Sequence, residues 1–212
     1  MTSRLLRWAE FVCMFVLLPF IAFHYRHLLS NWLLPVLCLL ALFCLYLILN
    51  DSRFKRFRLT NYANLKHLLW YSPTLFALGV LISVLALSAY APEQIFVLPT
   101  RDFYSWCLLL ALYPLFSVIP QELIFRTYLF HRFKGIMPSK TLRTWVSAAV
   151  FALAHIIYAN WIAVVLAFIG GLMFAYTYAS SRSTAACVLE HSLWGLWLFT
   201  LGAGQYLSLA PQ

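Results

Sequence analysis

A chain of 212 residues that is 64% hydrophobic and only 10% charged lacks the polar surface of a soluble globular domain, in which about a quarter of residues carry charge. Its net charge of +9 would suit a nucleic-acid partner, but the fifteen Lys and Arg fall mostly in short segments between apolar runs, so no nucleic acid is expected. Apolar runs long enough to cross a hydrocarbon core of roughly 30 Å recur along the whole chain and leave no stretch for a separate soluble domain.

In chain order the runs predict helices at 8–25, 31–49, 68–90, 104–130, 144–158, 161–179 and 184–206. Only helices and closed barrels satisfy the backbone in lipid, and strand-like alternation is absent, so the expected fold is an all-α, polytopic membrane bundle of about seven transmembrane helices. Arg4 and Arg7 precede the first run as in a signal peptide, but no small-residue cleavage site follows, and this run is expected to stay as the first helix. The segment DSRFKRFRLTNYANLKH interleaves basic residues with Phe54, Phe57 and Tyr62, which suits an amphipathic stretch on anionic membrane lipid. One side of the predicted membrane collects Arg4, Arg7, Arg53, Lys55, Arg56, Arg58, Lys66, Arg132, Lys134, Lys140, Arg143 and Arg182, whereas the other holds Arg26 and Arg101. The positive-inside rule then makes the N-terminus cytoplasmic. Cys13, Cys38, Cys44, Cys107 and Cys187 form no C-x-x-C pair and read as small buried hydrophobes. His24, His27, His67 and His131 sit at span ends, where interfacial anchoring is expected.

Ionisable residues inside the spans are costly and mark functional sites by default. Glu122, His155 and His191, counted from the basic residues at the cytoplasmic ends of their helices, fall at similar depths of about 14 to 18 Å at 1.5 Å per residue. Glu122 and Arg126 are four residues apart and share a helix face, so an ion pair is expected. Pro114 and Pro120 just upstream remove backbone donors and predict a kink or opening, of the kind that lines a cavity.

Three segments, Gln121-Glu122-Leu123-Ile124-Phe125-Arg126, Phe151 to His155, and His191 to Gly195, resemble in order and spacing the motifs of the CPBP intramembrane proteases, the family of CAAX prenyl endopeptidases and bacteriocin-processing proteins. The family pattern is E-E-x-x-x-R, then F-x-x-x-H, then H-x-x-x-N or H-x-x-x-D. The likeness covers 104–206 as a catalytic core, with 1–103 as accessory helices in the same single membrane domain. It implies hydrolysis of a peptide bond in the membrane by Glu/His-activated water, the substrate being a peptide or protein that in this family can be lipid-anchored. Gln121 stands where the family has its first glutamate and Gly195 where it has an amide or carboxylate. The resemblance thus implies Glu122 as base, paired with Arg126; His155 orienting water; His191 with Gln121 steadying the oxyanion; and Asn160 supplying the amide missing at 195. No cofactor is expected. A rival account puts a divalent metal such as zinc on the two histidines and Glu122, although H-E-x-x-H is absent.

The expected function is an intramembrane endopeptidase of glutamic type, in a bacterial inner membrane. A catalytically silent relative that binds a peptide as an immunity or assembly factor is the second reading, supported by the departures at 121 and 195. A small transporter is the third, and the inverted repeats it would need are not found.

Overall fold

The computed structural model describes the backbone of residues 2–61, 65–207 and 209, and the side chains of all of these except 2, 3 and 65–72. Tyr62 and the side chains of Lys66 and His67 lie outside the described residues. Seven long helices follow one another: α1 (Arg4–His24), α2 (Leu33–Leu49), α3 (Leu65–Tyr90), α4 (Phe103–Arg132), α5 (Lys140–Tyr158), α6 (Trp161–Ser181) and α7 (Thr184–Leu201). No strand occurs among the described residues.

Five of these helices, α1, α3, α4, α5 and α6, are long and apolar enough to cross a membrane. Helix α2 is as apolar but spans 17 residues, and α7 interrupts its apolar run with Glu190 and His191. Each lies where an apolar run predicts it. Large apolar side chains such as Leu39, Leu42 and Ile82 face outward, a surface that lipid covers and water would not. The chain is an integral membrane protein built as a polytopic helical bundle.

Local chemistry sets the helix ends. Asp102, Ser139, Asn160 and Ser183 each cap a helix by accepting from the N–H of Ser105, Leu142, Ile162 and Ala186, satisfying donors that the first turn leaves orphaned. The Ser139 cap starts α5 ahead of the apolar run's own beginning. Helix α7 stops short of 206 because Gly202 turns the chain at φ +119°, a conformation that only glycine adopts cheaply. Ala159 and Arg182 take left-handed turns (φ 52° and 54°) that reverse the chain tightly between α5, α6 and α7. In the α5–α6 hairpin a Cβ on Gly171 would come within 3.1 Å of the Ala148 Cα. The absence of that atom lets the two backbones approach closely.

Helix α4 is the axis of the core. Its buried Ile124, Tyr128 and Leu129 pack with Phe15 of α1, Cys44 and Ile48 of α2 and Phe151 of α5. At the basic end, Glu10 of α1 accepts from Arg132 at 2.8 and 3.0 Å, from Arg7 at 2.9 Å and from the Tyr128 hydroxyl. Nearby, Asp51 takes both arms of Arg53 at 3.0 and 3.1 Å and the His131 Nε2 at 3.1 Å. The hydrogen bonds from Arg53 hold the Asp51 carboxyl well below its usual range.

At this end His131 is held by Asp51 and by the Phe54 ring, 5.1 Å away edge-on, and one expectation is corrected. The segment after α2 is not simply laid on lipid: Phe54 is buried, Asn61 donates to the Ser181 carbonyl at 2.9 Å and Thr184 donates to the Arg58 carbonyl at 3.2 Å. The Ser181 carbonyl at the end of α6 and the Thr184 hydroxyl at the start of α7 draw the segment inward, and Phe57 stays exposed. Among the cysteines, Cys44 and Cys187 are buried, whereas Cys13 and Cys107 face outward and Cys38 is half-buried.

Candidate active site

Pro114 and Pro120 do not break α4. A proline lacks an N–H and crowds the carbonyl four residues back, and the helix answers by widening into π-type turns at Pro114–Val118 and Leu123–Tyr128. Such insertions recur at functional sites. Glu122 sits between the two widened stretches.

Glu122 and Arg126 are both fully buried. Glu122 Oε1 lies 2.8 Å from Nδ1 of His191 on α7, and Oε2 lies 3.2 Å from Arg126 Nε. The Arg126 N–H does not point along that line and makes no hydrogen bond there, so the contact is a Coulombic pair. Arg126 donates from Nη2 to the Gly171 carbonyl at 3.4 Å. Its guanidinium lies 4.3 Å from the centre of the Phe151 ring and 5.5 Å from that of Phe174, where the ring faces offset part of its desolvation. Glu190 is buried too.

An ionised carboxylate only accepts, so the proton of the Glu122–His191 bond sits on Nδ1. Nε2 then accepts from the Tyr113 hydroxyl at 3.3 Å. Phe174 stacks on the His191 ring at 4.5 Å, which leaves the imidazole little freedom to turn. His155 lies in the last, tightened turn of α5. A backbone carbonyl likewise only accepts, so His155 donates from Nδ1 to the Phe151 carbonyl at 2.7 Å, and its Nε2 carries the free lone pair. Phe151 is the hub of the arrangement: its ring contacts Arg126, His155 (4.6 Å) and His191 (5.6 Å). The aromatic and the histidine four residues later thus make separate contacts: the ring is a shelf for the guanidinium, and the imidazole is held by the shelf's own backbone carbonyl.

A cavity of about 630 Å³ reaches this cluster, with His155, Gln121, Tyr113, Ser117 and Tyr158 in a wall that is otherwise mostly apolar. Glu122 and His191 stand behind that wall. The Gln121 amide donates to Ser117 Oγ at 2.8 Å while its oxygen has no partner. Asn160 does not line the cavity; its side-chain oxygen is taken by the Ile162 N–H at 2.9 Å. The zinc account asks Glu122, His155 and His191 to face one ion. The structure turns Nδ1 of His191 toward Glu122 and Nδ1 of His155 toward a carbonyl, and among the described residues no group of three or more His, Cys, Asp or Glu side chains is gathered to hold a metal.

Residues that the motifs do not single out complete the site. Tyr113, Ser117, Gly171 and Phe174 carry no pattern of their own, and only a shared location reveals them. Glu190 did carry a signal, as a carboxylate inside a span, although its place next to His191 suggests the opposite side of the helix. Both are buried because α7 is packed on more than one face.

A buried carboxylate, guanidinium and imidazole thus stand together beside a cavity in a polytopic membrane bundle. Residues 103–197 match the family model described as type II CAAX prenyl endopeptidase Rce1-like. The match runs from the start of α4 well into α7 and takes in Glu122, Arg126, Phe151, His155 and His191. This region is thus similar to that family of CAAX-type proteases. No curated protein and no solved structure matches the chain.

Proposed function

We propose that this protein is an intramembrane endopeptidase that hydrolyses a peptide bond in a membrane-associated peptide or protein. The observation that carries the proposal is the meeting of the Glu122–His191 pair, 2.8 Å apart, with the open Nε2 of His155 on a cavity of about 630 Å³. In this reading His155 Nε2 orients water in the cavity, accepts its proton as the water attacks the scissile carbonyl, and returns that proton to the leaving amine as the tetrahedral intermediate collapses and the C–N bond breaks. Glu122 acts from behind the wall. Its two oxygens face His191 and Arg126, so it fixes the tautomer and orientation of His191 and counters positive charge that develops beside it. Taking a proton directly from water would require Glu122 first to release His191. The Gln121 amide on the cavity wall serves the tetrahedral oxyanion with the N–H that Ser117 leaves unused, while His191, bonded at both nitrogens, links Glu122 to Tyr113 and Asn160 serves the start of α6. The mechanism uses no metal.

The cavity is lined by Ser30 and Leu33 before and within α2, Tyr158 at the end of α5 and Leu207 beyond α7, all at helix ends away from the basic loops. With the basic loops and N-terminus cytoplasmic, an apolar substrate segment enters from the outer half of a bacterial inner membrane. The mostly apolar wall suits a hydrophobic peptide or one carrying a lipid anchor.

A silent peptide-binding protein is the second reading, favoured by two observations: Glu122 is fully buried, and Gln121 stands where the family pattern has an acid. The test compares wild type, Glu122→Gln and His155→Ala in purified membranes against a library of apolar peptides, read by mass spectrometry with and without chelator. Products made only by the wild type and insensitive to chelator are expected. Products from all three proteins would end the proposal, binding without cleavage would favour the silent reading, and loss on chelation would reinstate the metal.

A further inference from the structure

Position 195 is a glycine on the same face of α7 as His191, one helical turn further on. A Cβ built there would come within 2.6 Å of the Cε1 and Cζ atoms of the Tyr113 ring, and closer still to its hydroxyl. Real Cβ atoms do not tolerate such contacts, so a side chain at 195 and the present position of Tyr113 exclude one another. The space that a residue at 195 would fill is occupied by a phenol from α4, and that phenol is the group bonded to His191 Nε2 at 3.3 Å.

Resting on the proposed function above, we infer that Tyr113 replaces the missing side chain of position 195 as the positioning residue for His191, and that Gly195 exists to admit it. The chain that results is Glu122 Oε1, Nδ1–H of His191, Nε2 of His191, and the Tyr113 hydroxyl, the last on the cavity wall. Glu122 at one nitrogen and the phenol at the other hold the imidazole in one tautomer. Further ring contacts keep Tyr113 in place: Phe199 lies edge-on at 5.2 Å and the His191 ring at 6.2 Å. Tyr113 directly precedes Pro114, where α4 widens, and so the local departure from regular helix lies next to the residue that must reach across to α7. Asn160 cannot fill the same role while it caps α6.

The test has one arm that needs no substrate. The ring nitrogens of His191 are followed by 15N NMR of histidine-labelled protein in micelles, in the wild type, Tyr113→Phe, Gly195→Ala, and the double variant Tyr113→Ala with Gly195→Asn. Tyr113→Phe removes only the hydroxyl and should move the Nε2 resonance toward that of a free lone pair while leaving Nδ1 bonded to Glu122. Gly195→Ala, which expels the ring, should produce the same shift. The double variant should return Nε2 toward its wild-type position, because an asparagine four residues beyond His191 can donate in the phenol's place. In the activity arm Tyr113→Phe should lower kcat by about tenfold, the worth of one hydrogen bond, with KM little changed, and the double variant should recover most of the loss. If Tyr113→Phe leaves the Nε2 signal unmoved, or if Gly195→Ala does so in a protein that folds, the inference is overturned. A protein with no proteolytic activity but with these NMR shifts would refute the proposed function and leave the Tyr113–Gly195 exchange standing.

Discussion

Replacing Arg126 by methionine, which keeps most of its volume and removes its charge, strands Glu122 in the centre of the bundle. Both side chains are fully buried and 3.2 Å apart. Removing one member of such a pair leaves an uncompensated charge and costs about 3–5 kcal/mol, whereas replacing both by neutral groups costs much less. The ring contacts of the guanidinium, 4.3 Å from Phe151 and 5.5 Å from Phe174, add about 1 kcal/mol that methionine recovers in part. Arg126→Met is therefore expected to destabilise by about 4 kcal/mol, and adding Glu122→Gln should return at least about 2 kcal/mol of it. The assay is unfolding in mixed micelles by increasing SDS, followed through thiol labelling of the buried Cys44 and Cys187 with Cys13, Cys38 and Cys107 replaced. Two results would refute the reasoning: an Arg126→Met protein as stable as wild type, or a double variant whose loss equals the sum of the single losses.

Gly171→Leu should separate α5 from α6, because even a Cβ at 171 comes within 3.1 Å of the Ala148 Cα; a loss of about 1–3 kcal/mol in the same unfolding assay is expected, against little change for Gly135→Ala, where a Cβ meets nothing. Glu10→Gln removes the carboxylate shared by Arg7, Arg132 and Tyr128, and protease accessibility of the first helix should rise, while an unchanged digestion pattern would show that packing alone holds α1. Asp51 has its carboxyl pKa lowered in the folded state by hydrogen bonds from Arg53, so its contribution is present above the unfolded value near about 4 and is lost as pH falls below it. Melting profiles in detergent between neutral and acidic pH should therefore show a drop in wild type that Asp51→Asn abolishes, and identical slopes in the two proteins would exclude Asp51 as the source.

Much of the architecture was legible before any coordinates because lipid makes length and hydrophobicity act as structural rules. The seven helices fall where apolar runs predict them. Glu122, Arg126, His155 and His191 stand out in the sequence because a titratable group in hydrocarbon is expensive. Composition and order of residues thus determined the class of the fold and the ionisable set. The Glu122–Arg126 pair follows from their four-residue spacing, but the structure decided how the rest of the set is divided: His191 faces Glu122, His155 faces the Phe151 carbonyl and the cavity, and Asn160 is drawn off to cap a helix. The same holds for Tyr113, which meets His191 from 78 positions away, and for Gly195, whose importance lies in the atom it lacks. Hydrophobic patterning selects which face of a helix is buried, but it carries no information on which neighbour will occupy the space, and that is settled only when α4, α5 and α7 pack against one another.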